Sequence, residues 1–252
     1  MKALITGASS GIGRDMARYL ASLGWDLILV ARREDRLREL KAELASVKVN
    51  TIVLDVGKAD DCFRLYELTK SERIDMLINN AGFGLAGEFA ETVLDTELNM
   101  IDVNIRAVHI LTKLFLRDFI ERDNGIILNV ASSAGFMPGP LLSTYYATKN
   151  YVLRLSEAIY EELRRKGSRV KISVLCPGPV NTEFNTVAKV RFAVAGISSE
   201  LCAKTAVDGA FKGRLVIVPG GILRAGLFFR RFVPEKQLLK IAYNFQRRKN
   251  ER

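Results

Sequence analysis

The chain has 252 residues, 48% of them hydrophobic, and 38 Lys/Arg against 28 Asp/Glu give a formal net charge of +10. Its one histidine, His109, excludes a zinc site built on several histidines and a Ser-His-Asp triad on any other histidine. The three cysteines, Cys62, Cys176 and Cys202, lack metal-ligand or redox spacing and read as thiols in a reducing compartment, so no metal is expected.

The excess charge is uneven. Residues 224–252 hold nine Lys/Arg and two Asp/Glu, a net of +7, so the basicity is mainly a C-terminal feature and not a nucleic-acid-binding face. The chain opens directly on strand-like residues, and no run of about 18 apolar residues is free of charge. A cytoplasmic protein without signal peptide or membrane span is expected.

Residues 2–6 (KALIT) form a short apolar strand, followed by GASSGIG and a helical pattern. Strand, glycine-rich turn and helix make a phosphate-binding element, because glycines admit a pyrophosphate and a helix N-terminus stabilises its charge. The spacing is Gly7-x-x-x-Gly11-x-Gly13. A second strand at 26–31 meets Arg32-Arg33 where a dinucleotide's adenosine ribose is bound in such folds. No acid stands there for a 2′-hydroxyl, and arginines suit a 2′-phosphate, so NADP(H) is expected over NADH. The plain alternative is solvated charge at a helix start, although cations there oppose the helix dipole.

A third strand at 49–54 ends in Asp55-Val56, and a helix covers about 58–70. A fourth strand, 74–78, runs into Asn79-Asn80-Ala81-Gly82, which suits either a polar ligand at a strand end or a turn. One long helix is predicted over 96–121, with Asn104 and His109 on it. A fifth strand at 125–131 leads to Ser132, and the stretch STYYATK begins a helix to about 165, capped by Ser143 or Thr144. Four residues apart on that helix, Tyr145 and Lys149 share a face. A cation beside the phenol favours the phenolate, so Lys149 is expected to lower the Tyr145 pKa into acid–base range. A sixth strand at 170–176, an irregular stretch at 183–197, a helix at 199–212 and a short strand at 215–218 complete the pattern. Strands alternating with helices predict one doubly wound, Rossmann-type parallel α/β sheet of about seven strands.

Four separated pieces then agree: Thr6-Gly7-x-x-x-Gly11-x-Gly13, Asn79-Asn80-Ala81-Gly82, Ser132 with Tyr145-x-x-x-Lys149, and Pro177-Gly178-x-Val180-x-Thr182. In order and spacing they resemble the short-chain dehydrogenase/reductase family over residues up to about 218, with a weaker likeness to its carbonyl and ketoacyl reductase members. The resemblance implies a catalytic set of Asn104, Ser132, Tyr145 and Lys149. Tyr145 would exchange the proton, Lys149 would bind the nicotinamide ribose, Ser132 would hold the reacting oxygen, and Asn104 would anchor a water beside Lys149. Gly7, Ser9, Ser10, Gly11, Ile12 and Gly13 would line the cofactor phosphates, and Arg32 and Arg33 the 2′-phosphate. Asp55 would meet the adenine, Asn79 the ribose and Thr182 the nicotinamide carboxamide, with Val56, Ala81, Gly82, Pro177, Gly178 and Val180 also binding the cofactor.

The expected activity is hydride transfer between NADPH/NADP+ and a small hydrophobic carbonyl or alcohol, of ketone or 3-ketoacyl type. An apolar wall of Phe83, Phe136, Met137, Leu141, Leu142, Phe184 and Phe192 would receive it. Lys189 and Arg191 could greet an anionic carrier. The other class of reading is a cofactor-binding sensor or scaffold without turnover, which has no need of the phenol. Residues 1–221 are expected to form the catalytic domain, with 222–252 as its basic amphipathic extension. That extension is expected to pack on its own domain or a subunit partner ahead of lying on an anionic membrane. A homo-dimer or tetramer is implied by the family.

Overall fold

The structure is a computed structural model that describes residues 1–184, 188 and 196–250. Among these, seven strands form one parallel sheet in the order β3-β2-β1-β4-β5-β6-β7. They are β1 Lys2–Thr6, β2 Asp26–Ala31, β3 Val49–Val53, β4 Met76–Asn79, β5 Ile126–Val130, β6 Lys171–Leu175 and β7 Val216–Ile217. Several are a residue or two shorter than the apolar runs that announced them.

Both faces of the sheet are covered, which is why its strands read as near-continuous apolar runs. Alternate side chains go to opposite layers. Ile5, Leu27 and Leu29 pack with α1 (Gly11–Ser22), α2 (Glu34–Glu43) and α7 (Ser199–Phe211). Leu4, Ile28 and Val30 pack with α3 (Ala59–Thr69) and α5 (Ala107–Glu121), whose Phe115 and Phe119 are both 1% exposed.

The helix predicted over 96–121 departs from expectation. It runs as α4 (Leu94–Ile101), a π-helical turn (Asp102–Arg106) and α5. Asn104 lies inside the π turn. Such a turn inserts an extra residue per turn and is common at functional sites.

The helix carrying Tyr145 and Lys149, α6 (Ser143–Arg165), also starts differently. Leu142 occupies the cap position, and no side chain caps the helix, neither Ser143 nor Thr144. Leu141, at φ 65°, turns the chain into the helix, and Leu142 is buried beside Tyr145.

β1 and β4 are neighbours although β2 and β3 intervene in sequence, so the sheet order reverses between them. The carboxyl ends flanking such a switch point form the crevice where open α/β sheets bind ligands. The two ends are braced. Thr6 Oγ1 accepts from the Asn80 and Ala81 amides at 3.0 and 3.1 Å, and Asn80 Nδ2 donates to the Thr6 and Gly7 carbonyls at 3.0 and 3.1 Å.

Beyond β7 the chain forms α8 (Gly221–Phe229), a 3₁₀ turn (Arg230–Phe232) and α9 (Glu235–Asn250). None of the side chains of α8 is buried. The extension nevertheless meets the catalytic edge twice: Leu223 lies against Gly178, and Gln246 Nε2 donates to Tyr146 Oη at 2.5 Å. No helix among the described residues is long and apolar enough to cross a membrane.

Candidate active site

Three elements converge at the carboxyl edge of the sheet. Ser132 follows β5 and caps the 3₁₀ turn Ser133–Phe136, its Oγ accepting from the Ala134 amide at 3.1 Å. The hydroxyl also lies 3.5 Å from the Pro177 carbonyl after β6. Tyr145, in the first turn of α6, is buried, and the Ser132 hydroxyl acts on its phenol. Lys149, one turn on and 5% exposed, donates from Nζ to the Val130 carbonyl at 3.0 Å.

Asn104 completes the group. Its amide pairs with the backbone of Phe83, Oδ1 accepting from the amide at 3.1 Å and Nδ2 donating to the carbonyl at 2.9 Å. Nδ2 also donates to Thr148 Oγ1 on α6 at 3.0 Å. Asn104 therefore ties the π turn to α6 and to the segment after β4. Gly82 fits between these parts: a Cβ there would stand 3.0 Å from Asn104 Oδ1 and 3.2 Å from Lys149 Nζ. All four expected catalytic residues lie in one cluster.

The electrostatics correct one expectation. Burial pushes the Tyr145 phenol up to about 12, opposed by the Ser132 hydroxyl and helped by Tyr146. Lys149 is itself pulled down to about 8 by burial. Its Nζ is 5.9 Å from the centre of the Tyr145 ring and engaged with a carbonyl. Burial disfavours the charged form of both groups, so here the phenol holds its proton at neutral pH.

The glycine-rich loop enters α1 with positive φ at Gly7 (65°) and Gly11 (53°), a conformation that favours glycine. A Cβ on Gly11 would come within 3.2 Å of Thr182, so this loop and the segment after β6 approach each other. No side chain caps α1, and its first turn holds no acid. Ser9 and Ser10 are both bonded to the Arg33 guanidinium, whereas Arg32 is more exposed and only 3.8 Å from Asp55. Asp55 Oδ1 accepts from the Gly57 amide at 3.0 Å. These features fit a dinucleotide phosphate group: an uncapped helix start behind a glycine turn, with arginines and no acid at the end of β2.

Several other residues expected at the cofactor have partners inside the fold. Asn79, expected at the ribose, is 1% exposed, and its Nδ2 donates to Thr112 Oγ1 (3.0 Å) and Asn129 Oδ1 (2.9 Å) inside the fold. Its side chain braces β4 against β5 and α5 instead. Ile12 packs against the α1-side core, Val56 and Ala81 against the other, and Val180 is buried in a bridge to Ile197. Gly13 abuts Asn80, Pro177 accepts from the Ser133 amide at 2.8 Å, and Thr182 Oγ1 accepts from the Phe184 amide at 3.3 Å.

Of the expected apolar wall, Phe83, Leu142 and Phe184 do pack with Tyr145, joined by Met100 and Ala188. The Tyr145 and Phe184 rings are 5.4 Å apart. Phe136 is a correction, for it packs with Val108, Val152 and Val174 in a separate cluster. Met137 and Leu141 are half-buried outside the Tyr145 cluster. Phe192, Lys189 and Arg191 lie outside the described residues. Sequence reasoning missed Thr148, Met100, Arg36 and Glu183, whose roles come from partners distant in the chain.

Comparison with known proteins agrees with this geometry. The family model "short chain dehydrogenase" matches residues 1–191. A very-long-chain 3-oxoacyl-CoA reductase from Homo sapiens is 34% identical over 196 residues, which are 74% of this chain but only 62% of that protein. Sulfoacetaldehyde reductase 2 from Chromohalobacter salexigens is 40% identical over 189 residues, covering 73% of this chain and 74% of its own. Among solved structures, a short-chain dehydrogenase from Sphingobium yanoikuyae in complex with NADPH superposes with a TM-score of 0.82 at 32% identity, covering 87% of this chain and 88% of that one. The chain belongs to the short-chain dehydrogenase family of oxidoreductases.

Proposed function

We propose that this protein is an NADP(H)-dependent reductase that converts a hydrophobic ketone or 3-ketoacyl-type carbonyl to the secondary alcohol. The observation that carries the reading is the buried Tyr145 phenol, gathered with Ser132, Lys149 and Asn104 at the sheet's carboxyl edge. Arg33 beside Ser9 and Ser10, with arginines at the two positions that follow β2, supports NADP(H) over NADH. A bound nicotinamide supplies the hydride.

The chain's own groups do the rest. Ser132 Oγ donates to the substrate oxygen and orients the carbonyl. Tyr145 Oη, protonated at neutral pH because burial holds its pKa high, donates the proton as negative charge develops on that oxygen. Lys149, one turn on, would bind the nicotinamide ribose, and Asn104 holds Phe83 and α6 in register beside it. Gly7, Ser9, Ser10, Gly11 and Gly13 would hold the phosphates through the loop backbone and hydroxyls, and Thr182 with the backbone of Pro177, Gly178 and Val180 the nicotinamide end. Phe83, Met100, Leu142 and Phe184 give the substrate an apolar wall. The 3-oxoacyl-CoA reductase relative supports an acyl substrate. A scaffold role gains no support, since binding alone makes no use of the Ser132–Tyr145–Lys149 set.

The assembly is proposed as a homo-dimer or tetramer built on the long helices, where Leu98, Ile120 and Tyr151 are left exposed. The free, buried cysteines favour the cytoplasm. The test is oxidation of NADPH, with NADH in parallel, against aliphatic, aromatic, steroid and 3-ketoacyl carbonyls. Turnover with NADPH well above NADH is expected. Tight NADPH binding with no turnover on any carbonyl would refute the proposed activity.

A further inference from the structure

The arginine site at the end of β2 has a further member and an internal occupant. Arg36, in the first turns of α2, and Arg33 both reach Glu183, which follows Thr182 in the segment after β6. Arg33 Nη1 donates to Oε2 at 2.9 Å, and Arg36 Nη1 donates to Oε1. Arg33 also donates to Ser9 Oγ at 3.1 Å and Ser10 Oγ at 2.7 Å. One guanidinium thus joins the glycine-rich loop to the carboxylate. The two arginines hold the Glu183 carboxyl down to about 2, so it is an anion throughout the working pH range. The side chains of Arg33, Arg36 and Glu183 are 41%, 38% and 46% exposed, so an anion from solvent can reach all three.

We propose that Arg33 and Arg36 together form the 2′-phosphate site, and that Glu183 is its internal competitor, displaced when NADP(H) binds. The proposal rests on the NADP(H) reading given above. A carboxylate and a phosphate offer guanidinium groups the same chemistry, paired oxygens carrying negative charge. The phosphate brings about 1.5 to 2 charges and three acceptor oxygens, against one charge and two oxygens for Glu183. It therefore wins the contest, at a modest penalty because the ion pairs it breaks are exposed. A ribose 2′-hydroxyl brings no charge and leaves Glu183 on its arginines. Glu183 thus lowers affinity for NADPH without acting on NADH. Its chain neighbours give the displacement a route inward: Thr182 stands where a Cβ on Gly11 would press against it, and the Phe184 ring lies 5.4 Å from that of Tyr145.

The test measures dissociation constants, not turnover. NADPH and NADH are titrated by the fluorescence of the reduced nicotinamide, and 2′,5′-ADP by calorimetry, for the wild type, Glu183→Gln, Arg36→Ala and the double variant. Glu183→Gln is expected to tighten NADPH and 2′,5′-ADP about three- to tenfold and to leave NADH unchanged, which also reports an intact fold. Arg36→Ala is expected to weaken NADPH alone and to shrink the gain from Glu183→Gln. Glu183→Asp, with a shorter reach, is expected to fall between wild type and Gln. A wild type that binds NADH as tightly as NADPH would overturn the cofactor reading itself. A wild type that prefers NADPH, with Glu183→Gln neutral or weakening both cofactors alike, would overturn the competitor assignment alone.

Discussion

Replacing Lys149 by Met is expected to stabilise the fold while abolishing turnover. Lys149 is 5% exposed, and burial draws its pKa down to about 8. The unfolded chain keeps that proton to about 10.4. Below both values the lysine is charged in either state, and the folded protein bears the strain of a buried cation. Between them the unfolded state binds more protons, so stability rises with pH, by about 3 kcal/mol in all at roughly 1.36 kcal/mol per unit. Methionine removes the charge but also the bond to the Val130 carbonyl, which is worth about 1 kcal/mol. The variant should therefore be more stable than wild type by about 2 kcal/mol at pH 7, on the order-of-magnitude figures used here. The difference should shrink to near zero by about pH 10, where the folded wild type carries a neutral lysine. Urea unfolding followed by the fluorescence of Trp25, which is 4% exposed, gives the comparison at each pH. A variant less stable than wild type at pH 7, or a difference that does not change with pH, would refute the reasoning.

Three further outcomes are expected. Gly82→Ala should cut kcat by more than tenfold (a rough figure for misplacing catalytic groups) with a small change in melting temperature, because the new methyl presses on Asn104 Oδ1 and Lys149 Nζ; unchanged kcat would remove Gly82 from the site. Asn129→Ala should cost about 2–4 kcal/mol in urea unfolding, since it empties a buried site and strips partners from Asn79, Thr112 and Ser156. Arg33→Ala should weaken NADPH about tenfold or more while sparing NADH, read by nicotinamide fluorescence; equal losses for both cofactors would assign Arg33 to loop structure.

Much of this architecture was legible before any coordinates, for physical reasons that also mark where legibility ended. Apolar runs such as DLILVA and IILNV name their strands because both sheet faces are covered. The residues proposed as catalytic are named by the family resemblance of their motifs, and spacing alone pairs only Tyr145 and Lys149, four apart on one helix face. The π turn at Asp102–Arg106 was invisible because spacings of three and four continue through one extra residue. The state of Tyr145 was misread because sequence shows the neighbouring lysine but not the depth of burial that overrides it. The internal bonding of the Asn79 side chain is not legible in the sequence because its partners, Thr112 and Asn129, are 33 and 50 residues away. Glu183 went unnoticed for the same reason: Arg33 lies 150 residues before it.

The central claim is that Tyr145 is the proton donor, and the most direct test is the Tyr145→Phe variant under saturating NADPH with the best carbonyl of the panel. Removing the hydroxyl leaves the ring that packs against Phe184, so cofactor binding should be retained while kcat falls about 100- to 10,000-fold. A variant that binds NADPH as wild type does and turns over at the wild-type rate would contradict the account.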